Sequence, residues 1–224
     1  CIYFGDNSSR KRFPSVDSII RKGRNEIMAT AHIPLYEREG DKNGYLGYQY
    51  KHWIRYQFTY GKWIKAGIMA SQDAGEPFFA GKNKWGYDYV SPYFLMRDCG
   101  KLKALALGRY RLRFGMGIVM NSSFSLGKQA SISSLGRSSQ GIFAHSSRQE
   151  YNYMQGAAAT VEAVRHLDLT GFVSYRKIDA TLNNDDNSIS TILKTGYHRT
   201  ISEMSRRRNA SQTIAGGNVR YHNN

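Results

Sequence analysis

Residues 45–60 read YLGYQYKHWIRYQFTY, and alternate positions in this stretch belong to two chemical classes. One set is apolar and aromatic: Leu46, Tyr48, Tyr50, His52, Ile54, Tyr56, Phe58 and Tyr60. The other is polar and cationic: Gly47, Gln49, Lys51, Trp53, Arg55, Gln57 and Thr59. Because side chains alternate between the two faces of a strand, the pattern predicts one apolar and one polar face. A strand this long exceeds the usual ~3–10 residues, and the wall of a membrane β-barrel is the environment it favours.

The same alternation recurs along the chain, at residues 63–71, 101–114 and 167–178. Gly61 and Lys62 form a turn signal between the strand over 45–60 and the strand over 63–71, which predicts a long hairpin. We therefore expect an all-β fold, an antiparallel up-and-down meander with long loops. The meander forms a transmembrane β-barrel or an arc of one, and we prefer the arc.

The sequence also predicts where the meander is interrupted. Residues 121–149 are rich in Ser and Gly and are expected to form a long loop. Thr200 and Glu203 have the spacing of a capping box, which predicts a short helix over 202–208. Residues 1–22 are expected to be a polar basic linker, and residues 23–224 a β-barrel-like domain that is a piece of a larger protein.

The composition limits the classes of function. The 224 residues include 32 Lys+Arg and 17 Asp+Glu, for a formal net charge of +15. No run approaches the ~20 apolar residues of a membrane helix. Cys1 and Cys99 lie far apart and the six histidines lack ligand spacing, so we expect no metal site. No catalytic motif is present either, and the protein is expected to be non-enzymatic and without a cofactor.

One loop offers an alternative to the non-enzymatic interpretation. Asp73 and Glu76 lie in a segment rich in Gly and Pro, where two carboxyl groups could act as an acid/base pair. Turn formation and surface solvation explain the same two residues, and we favour that explanation.

Cationic residues fall on the polar side of the expected strands and are the main candidates for a binding role. They are Lys51, Arg55, Lys65, Arg109, Arg111, Arg113 and Arg176. If the apolar side faces lipid, these residues point into one lumen, where concentrated positive charge attracts anions or anionic polymers. The competing explanation is a lumen filled with ion pairs. Acidic residues are too few to neutralise every cation, so some positive potential should remain.

Several short segments resemble a known family, and they occur in order along most of the chain. They are residues 73–79 (DAGEPFF), 105–110 (LALGRY), 124–128 (FSLGK), 156–160 (GAAAT) and 195–200 (TGYHRT). The chain from about residue 23 to residue 221 resembles the C-terminal region of Bacteroidetes helix-hairpin-helix (ComEA-like) domain-containing proteins. The resemblance implies an exported, outer-membrane-associated β protein. The helix-hairpin-helix module, to which DNA handling would attach, is absent from this sequence.

We therefore expect an outer-membrane β-barrel protein of a Gram-negative bacterium. It would have a basic lumen and a role in transport, as a channel or in surface assembly. Its partners would be outer-membrane lipid and, through the cations, nucleic acid or an anionic glycan. The alternative is a periplasmic or surface nucleic-acid-binding β protein linked to DNA uptake. In that case aromatic and basic side chains should share one face, which the alternation disfavours.

Overall fold

The computed structural model describes residues 13–81, 83–84, 86–115, 117, 120–121, 140–183 and 185–222, and it confirms an all-β antiparallel fold. The main sheet follows the order β1-β2-β3-β4-β5-β8-β9-β12. These strands are β1 Arg24–His32, β2 Lys51–Tyr60, β3 Ile64–Gln72, β4 Tyr89–Cys99, β5 Leu102–Phe114, β8 Met154–Val164, β9 Leu167–Ile178 and β12 Ala210–Tyr221. Two shorter strands, β6 Met120–Asn121 and β7 Gly141–Ala144, pair with β5. A separate pair consists of β10 Ala180–Leu182 and β11 Ile189–Ile192.

The predicted hairpin is confirmed as β2 and β3, but its first strand is shorter than the alternation suggested. Regular pairing begins at Lys51, whereas the backbone before it bonds to loops. The amide of Leu46 donates to the Arg199 carbonyl, and that of Gly47 donates to the Gly75 carbonyl. A Cβ on Gly47 would overlap the Glu76 carbonyl, so glycine permits this close approach. The tyrosine-rich start of the motif therefore joins the loops at the end of the strand.

The two faces predicted from the sequence extend across the sheet. Antiparallel pairing sets one apolar row side by side from β2 to β12: Phe58, Ala66, Phe94, Leu107, Ala157, Val173 and Ala215. We call this side the outer face. Large side chains on it remain exposed, including Ile68 at 46%, Val173 at 50% and Tyr175 at 54%. Described residues contact this face only near its ends: Ser18 of the N-terminal helix lies 3.1 Å from the Tyr60 hydroxyl, and the Phe78 and Tyr87 rings pack against His52.

The opposite side, which we call the inner face, is largely buried. On β4 it presents Tyr89, Ser91, Tyr93 and Leu95, while the residues between them point outward. On β9 it presents Asp168, Thr170, Phe172 and Ser174, all buried. Polar groups here find partners across the sheet: the Tyr93 hydroxyl donates to Gln57, and the Thr160 and Thr170 hydroxyls bond each other at 2.8 Å.

The β5 strand bends at Gly108, while its alternation continues: Ala104 and Ala106 before the bend, and Tyr110, Leu112 and Phe114 after it, all pack in one cluster on the inner face. Gly108 has φ +82°, and a Cβ there would lie 2.6 Å from the Pro92 carbonyl oxygen. Ala106 pairs with Ala158, which in turn pairs with Phe172, so Phe172 lies at the level of Ala106 along the sheet. The ring of Phe114, eight residues further along β5, nevertheless lies 6.2 Å from the Phe172 ring. Eight residues of straight strand would span about 27 Å. The chain therefore doubles back over the inner face.

The expectation that the apolar positions of β5 face lipid is wrong on both sides of the bend, because Ala104 and Ala106 already pair with Arg97 and Leu95 of the inner face. Tyr110 and Leu112, expected on the lipid-facing side, are fully buried in the main apolar cluster. The Tyr110 hydroxyl donates to the Val173 carbonyl at 2.7 Å. We call residues 109–114, which follow the bend, the inward segment of β5. The β7 strand pairs with it, and Arg97 of β4 donates to the Ile142 carbonyl at 2.8 Å. The expected loop over 121–149 thus contains a strand, while residues 122–139 lie outside the described residues.

The connections divide into two kinds. Short turns join β2 to β3, β4 to β5 and β8 to β9 at one end of the sheet, while longer segments lie at the other. The longer segments include α2 Glu39–Lys42 and α3 Ile201–Ser205. The capping box predicted at Thr200 and Glu203 is present and begins α3, which ends before the predicted 208.

The expected linker over 1–22 is partly helical. Its described part contains α1 Val16–Lys22, capped by Ser15 and anchored by the buried Ile19. Residues 1–12 lie outside the described residues, including the basic cluster that suggested a solvated segment. No helix in the described ranges is long and apolar enough to cross a bilayer.

The sheet is open. In the described ranges, β1 pairs with β2 alone and β12 pairs with β9 alone. Each therefore presents one row of backbone amides and carbonyls without a strand beside it, which is an arrangement that proteins normally cover or pair.

We expect Gly108→Ala to destabilise the fold by at least ~1–2 kcal/mol, because alanine in left-handed backbone costs about this much and its methyl would meet the Pro92 carbonyl. Gly171→Ala is the matched control, since nothing lies within 4 Å of its Cβ position. The free energy of unfolding, measured in urea by tryptophan fluorescence, should distinguish the two. Equal stability of both variants would contradict the bend.

Candidate functional site

Five charged side chains meet at the loop end of the sheet, in what we call the polar junction. They are Glu76, Asp88, Asp179, His198 and Arg207. Asp88 directly precedes β4, Asp179 directly follows β9, and His198 precedes α3. Three separate loops are therefore tied together at this point.

His198 is the centre of the polar junction. Its Nδ1 lies 2.6 Å from Asp88 Oδ2, and its Nε2 lies 2.9 Å from Asp179 Oδ2. A ring nitrogen facing a carboxylate donates a proton, so the ring is an imidazolium with both nitrogens protonated. Burial alone would lower the pKa of His198, but the bonds to Asp179 and Asp88 outweigh burial and raise the pKa to about 10.

The carboxylates of the junction are held in different states. Burial alone would raise the pKa of Asp88, but the bond and charge of His198 and the charge of Arg207 hold it below its usual range. Burial and the neighbouring Asp88 raise the pKa of Glu76 above that of an ordinary glutamate. Burial, followed by the charges of Asp88 and Glu76, raises the pKa of Glu150 to about 9. The junction thus combines ionised aspartates with Glu76, whose pKa is raised, and it lies beside Glu150, which favours the neutral form.

The junction also resembles a metal site in its residue types. Ligand atoms of Glu76, Asp88 and His198 lie within 4.8 Å of one another. A histidine ligates a metal only as the neutral ring with a free nitrogen, whereas both nitrogens of His198 hold protons for carboxylates. The arrangement is therefore that of an ion-pair network.

The proposed acid/base pair, Asp73 and Glu76, has a local structural role. Glu76 is 1% exposed, and its carboxylate accepts from the amides of Asp73 and His198 at 2.9 Å each. Asp73 forms an ion pair with Lys51. Both carboxylates are thus engaged within the loop, and Glu76 is not accessible to a substrate.

The cations predicted on the polar side form two groups. The first lies on the inner face of β2 and β3, where Arg55 Nη2 is 3.4 Å from Glu26 Oε1 and Lys65 Nζ is 3.5 Å from Ser146 Oγ. Lys65 also experiences the like charges of Arg55 and Arg111. One carboxylate therefore faces three cations, which leaves positive charge on this part of the inner face.

The second group is a stack of guanidinium and phenol groups. Arg109 lies between Tyr89 and Tyr153, 4.4 and 4.3 Å from the ring centroids, and Arg176 lies 5.0 Å from the Tyr153 ring. Arg109 is 6% exposed, and its Nε and Nη1 atoms have no hydrogen-bond partner among the described residues. Arg176 donates to Gln212 and to the Tyr151 carbonyl.

Two predicted cations stand apart from both groups. Lys51 is at the start of β2 and is paired with Asp73. Arg113 lies near the end of the inward segment of β5, and its Nε has no partner in the described ranges. The seven predicted cations therefore do not form a single patch.

Sequence reasoning did not identify Asp88, Asp179, His198 and Arg207. His198 is 110 residues from Asp88 and 19 from Asp179, so no local spacing connects them. Each side chain by itself looks like an ordinary loop residue. Only the pairing of β4 and β9 through intervening strands brings their loops to the same end.

Searches with the chain against protein-family models, curated proteins and solved structures found no match. The site must accordingly be interpreted from its own geometry.

The polar junction should loosen as pH rises. The pKa of His198 is raised from 6.5 to about 10, so its contribution is complete below 6.5 and lost as pH rises through 10. The free energy of opening the junction should fall by about 1.4 kcal/mol per pH unit for each proton released. This pH dependence is measured by hydrogen exchange of peptides covering 73–88 and 196–208, with exchange rates corrected for the intrinsic effect of pH.

His198→Gln is the control for this prediction, because it retains a donor but cannot become a cation. The variant should lose the share of His198, about one proton, which is roughly half of the slope between pH 7 and 9 and the larger part of it between pH 9 and 10. The raised pKa values of Glu76 and Glu150 act in the same direction, and Glu150 by itself keeps a slope of about one proton up to pH 9. An unchanged slope in the variant would show that His198 is not the cation that holds the loops.

Proposed function

We propose that the chain forms part of the wall of a non-enzymatic outer-membrane β-barrel in a Gram-negative bacterium of the Bacteroidetes type. Its cationic inner face would serve transport, a channel or surface assembly. The observation that carries the proposal is the continuous apolar row across seven adjacent strands of the outer face, whose members are half-buried or exposed. A contiguous apolar surface of this kind is rare on soluble monomers and is what a barrel presents to lipid.

Aromatic side chains at the two ends of the wall support a membrane setting. At the turn end the rings of Tyr60 and Trp63 stack with centroids 5.7 Å apart, and at the same end of the sheet, on the far edge strand β12, Tyr221 is exposed in register with Leu167. At the loop end Tyr175 is exposed on the outer face. Rings flanking an apolar band match the interfacial girdles of barrels.

The open edges favour an arc over a complete barrel. β1 and β12 each have one unpaired side, and backbone groups in a bilayer must be satisfied within the protein. Further strands next to β1 and β12 would close the wall. The wall would then be wider than the eight strands of the main path.

The inward segment of β5 determines both the width and the charge of the proposed lumen. Together with β7 it covers part of the inner face and carries Arg111 toward Lys65. A lumen lined in this way is narrowed and positive, which favours the entry of anions. This supports a role in selective passage or in holding an anionic polymer.

The nucleic-acid alternative has less support. Tyr89 and Tyr153 do share a side with Arg109 and Arg176, but the rings are 3% and 9% exposed and already covered by guanidinium groups. A base needs an open ring on which to stack. Nucleic acid therefore remains an outcome to be tested.

We expect Val173→Lys to impair recovery in the outer membrane, because Val173 lies on the lipid face one outward position below Tyr175, where a lysine costs between the ~2–4 kcal/mol of the bilayer midplane and the ~0–1 kcal/mol of the interface. Ile201→Lys is the control, since Ile201 is 76% exposed on α3, away from the wall. The measurements are detergent-dependent extraction from outer membranes and heat-modifiable gel migration of the protein.

Comparison of these two variants distinguishes a lipid-facing Val173 from a water-exposed one. In water both positions are exposed, and either substitution should change stability by no more than about 0.5 kcal/mol. Equal behaviour of the two variants, or full solubility of the parent protein without detergent, would overturn the proposal. Salt-dependent DNA binding by such a soluble protein would favour the alternative.

A further inference from the structure

A basic cavity of about 480 Å³ lies at the loop end of the wall, beside the polar junction. Five cations line it: Arg109, Arg176, Lys177, Arg207 and Arg208. Asp88 is the one acidic residue among the described residues that line it. The cavity is therefore strongly positive.

Asp88 offsets only part of this charge, because its carboxylate is shared between His198 and Arg207, one of the five cations. Oδ2 accepts from His198 at 2.6 Å, and Oδ1 lies 3.1 Å from Arg207 Nη2. The backbone carbonyl of Asp88 also accepts from Arg207 and Arg208, at 3.1 and 3.3 Å. These bonds fix two guanidinium groups while leaving the charge of Arg208 without a carboxylate partner in the described ranges.

Arg109 provides an independent indication of a ligand. It is more than nine-tenths buried, and its Nε and Nη1 have no hydrogen-bond partner in the described structure. A buried donor without a partner costs about 1–3 kcal/mol. The cavity thus brings a buried cation with unmet donors together with four further positive charges.

The position of the cavity points to the kind of anion. Val90 and Tyr175 of the outer face also line it, at 38% and 54% exposure, and Lys177 is exposed on the same face two residues after Tyr175. An aromatic ring followed by a cation marks the level of lipid headgroups. Barrels place their longer loops on the extracellular side, so these headgroups belong to the outer leaflet.

Resting on the membrane setting proposed above, we infer that this cavity binds the phosphate group of an outer-leaflet glycolipid. Guanidinium groups bind phosphate oxygens in a bidentate manner, and Lys177 adds a point charge at the rim. The glycolipid's acyl chains would continue along the apolar outer face below Tyr175.

The test compares two double variants of the detergent-purified protein with equal changes in charge. Lys177→Gln with Arg208→Gln removes two exposed cations of the cavity, whereas Lys194→Gln with Arg206→Gln removes two exposed cations outside it. The probe is bis-phosphorylated lipid A in detergent, with the bound fraction measured by native mass spectrometry. The cavity variant should bind about ten- to thirty-fold more weakly than the parent, and the control should remain within about two-fold of it.

Two further probes show whether the cavity recognises the phosphate group and whether that phosphate belongs to a lipid. Fully dephosphorylated lipid A should bind much more weakly than the phosphorylated form, and inorganic phosphate at equal concentration should not displace the glycolipid. Equal binding of both glycolipids, equal loss in both variants, or no binding by the parent would overturn the inference. Displacement by inorganic phosphate would overturn the lipid source and assign the cavity to free phosphate.

Failure of this inference differs from failure of the proposed function. Both double variants should retain heat-modifiable migration and membrane extraction, because none of their four residues lies on the apolar row. A protein that needs no detergent would refute the membrane setting. A membrane protein without phosphate-dependent binding would refute the glycolipid site alone.

Discussion

Strict alternation of side chains along paired strands is the constraint on which this structure depends. Phe58, Ala66 and Phe94 stand side by side because the register between β2, β3 and β4 has no irregularity. A shift of one residue would move every apolar side chain to the inner face and every cation outward. The outer face is continuous because the pairing keeps the two parities aligned along the row, and the register shifts of the β5–β8 and β8–β9 pairs lie near the turn end. The proposed membrane setting follows from that continuity.

The β5 strand bends where glycine allows the backbone to leave the sheet. Gly108 and Gly156 are paired with each other and both have positive φ. Beyond them β5 turns inward and places Tyr110 and Leu112 in the apolar cluster. This packing stabilises the inner face, and it also brings Arg111 to a surface that already holds Lys65. The bend therefore determines both the core and part of the charge of the inner face.

The sequence predicted what depends on local periodicity. The strands, the hairpin of β2 and β3, the two faces and the capping box at Thr200 are all encoded by residues a few positions apart. The direction of Tyr110 was predicted wrongly, because alternation separates the two faces of a strand without showing which one is buried; on β5 the apolar positions, Ala106 as well as Tyr110, face inward. The pairing of His198 with Asp88 could not be predicted, since it depends on loops brought together by the order of the strands.

The polar junction and the basic cavity depend on each other through Asp88. Its carboxylate bonds His198 and Arg207, and its carbonyl accepts from Arg207 and Arg208. While His198 is protonated, Asp88 is held in the junction and cannot turn toward Arg109 or Arg176. The cavity then keeps its unbalanced positive charge. The ion-pair network that ties the loops together therefore also preserves the potential that would attract a phosphate group to the rim of the wall.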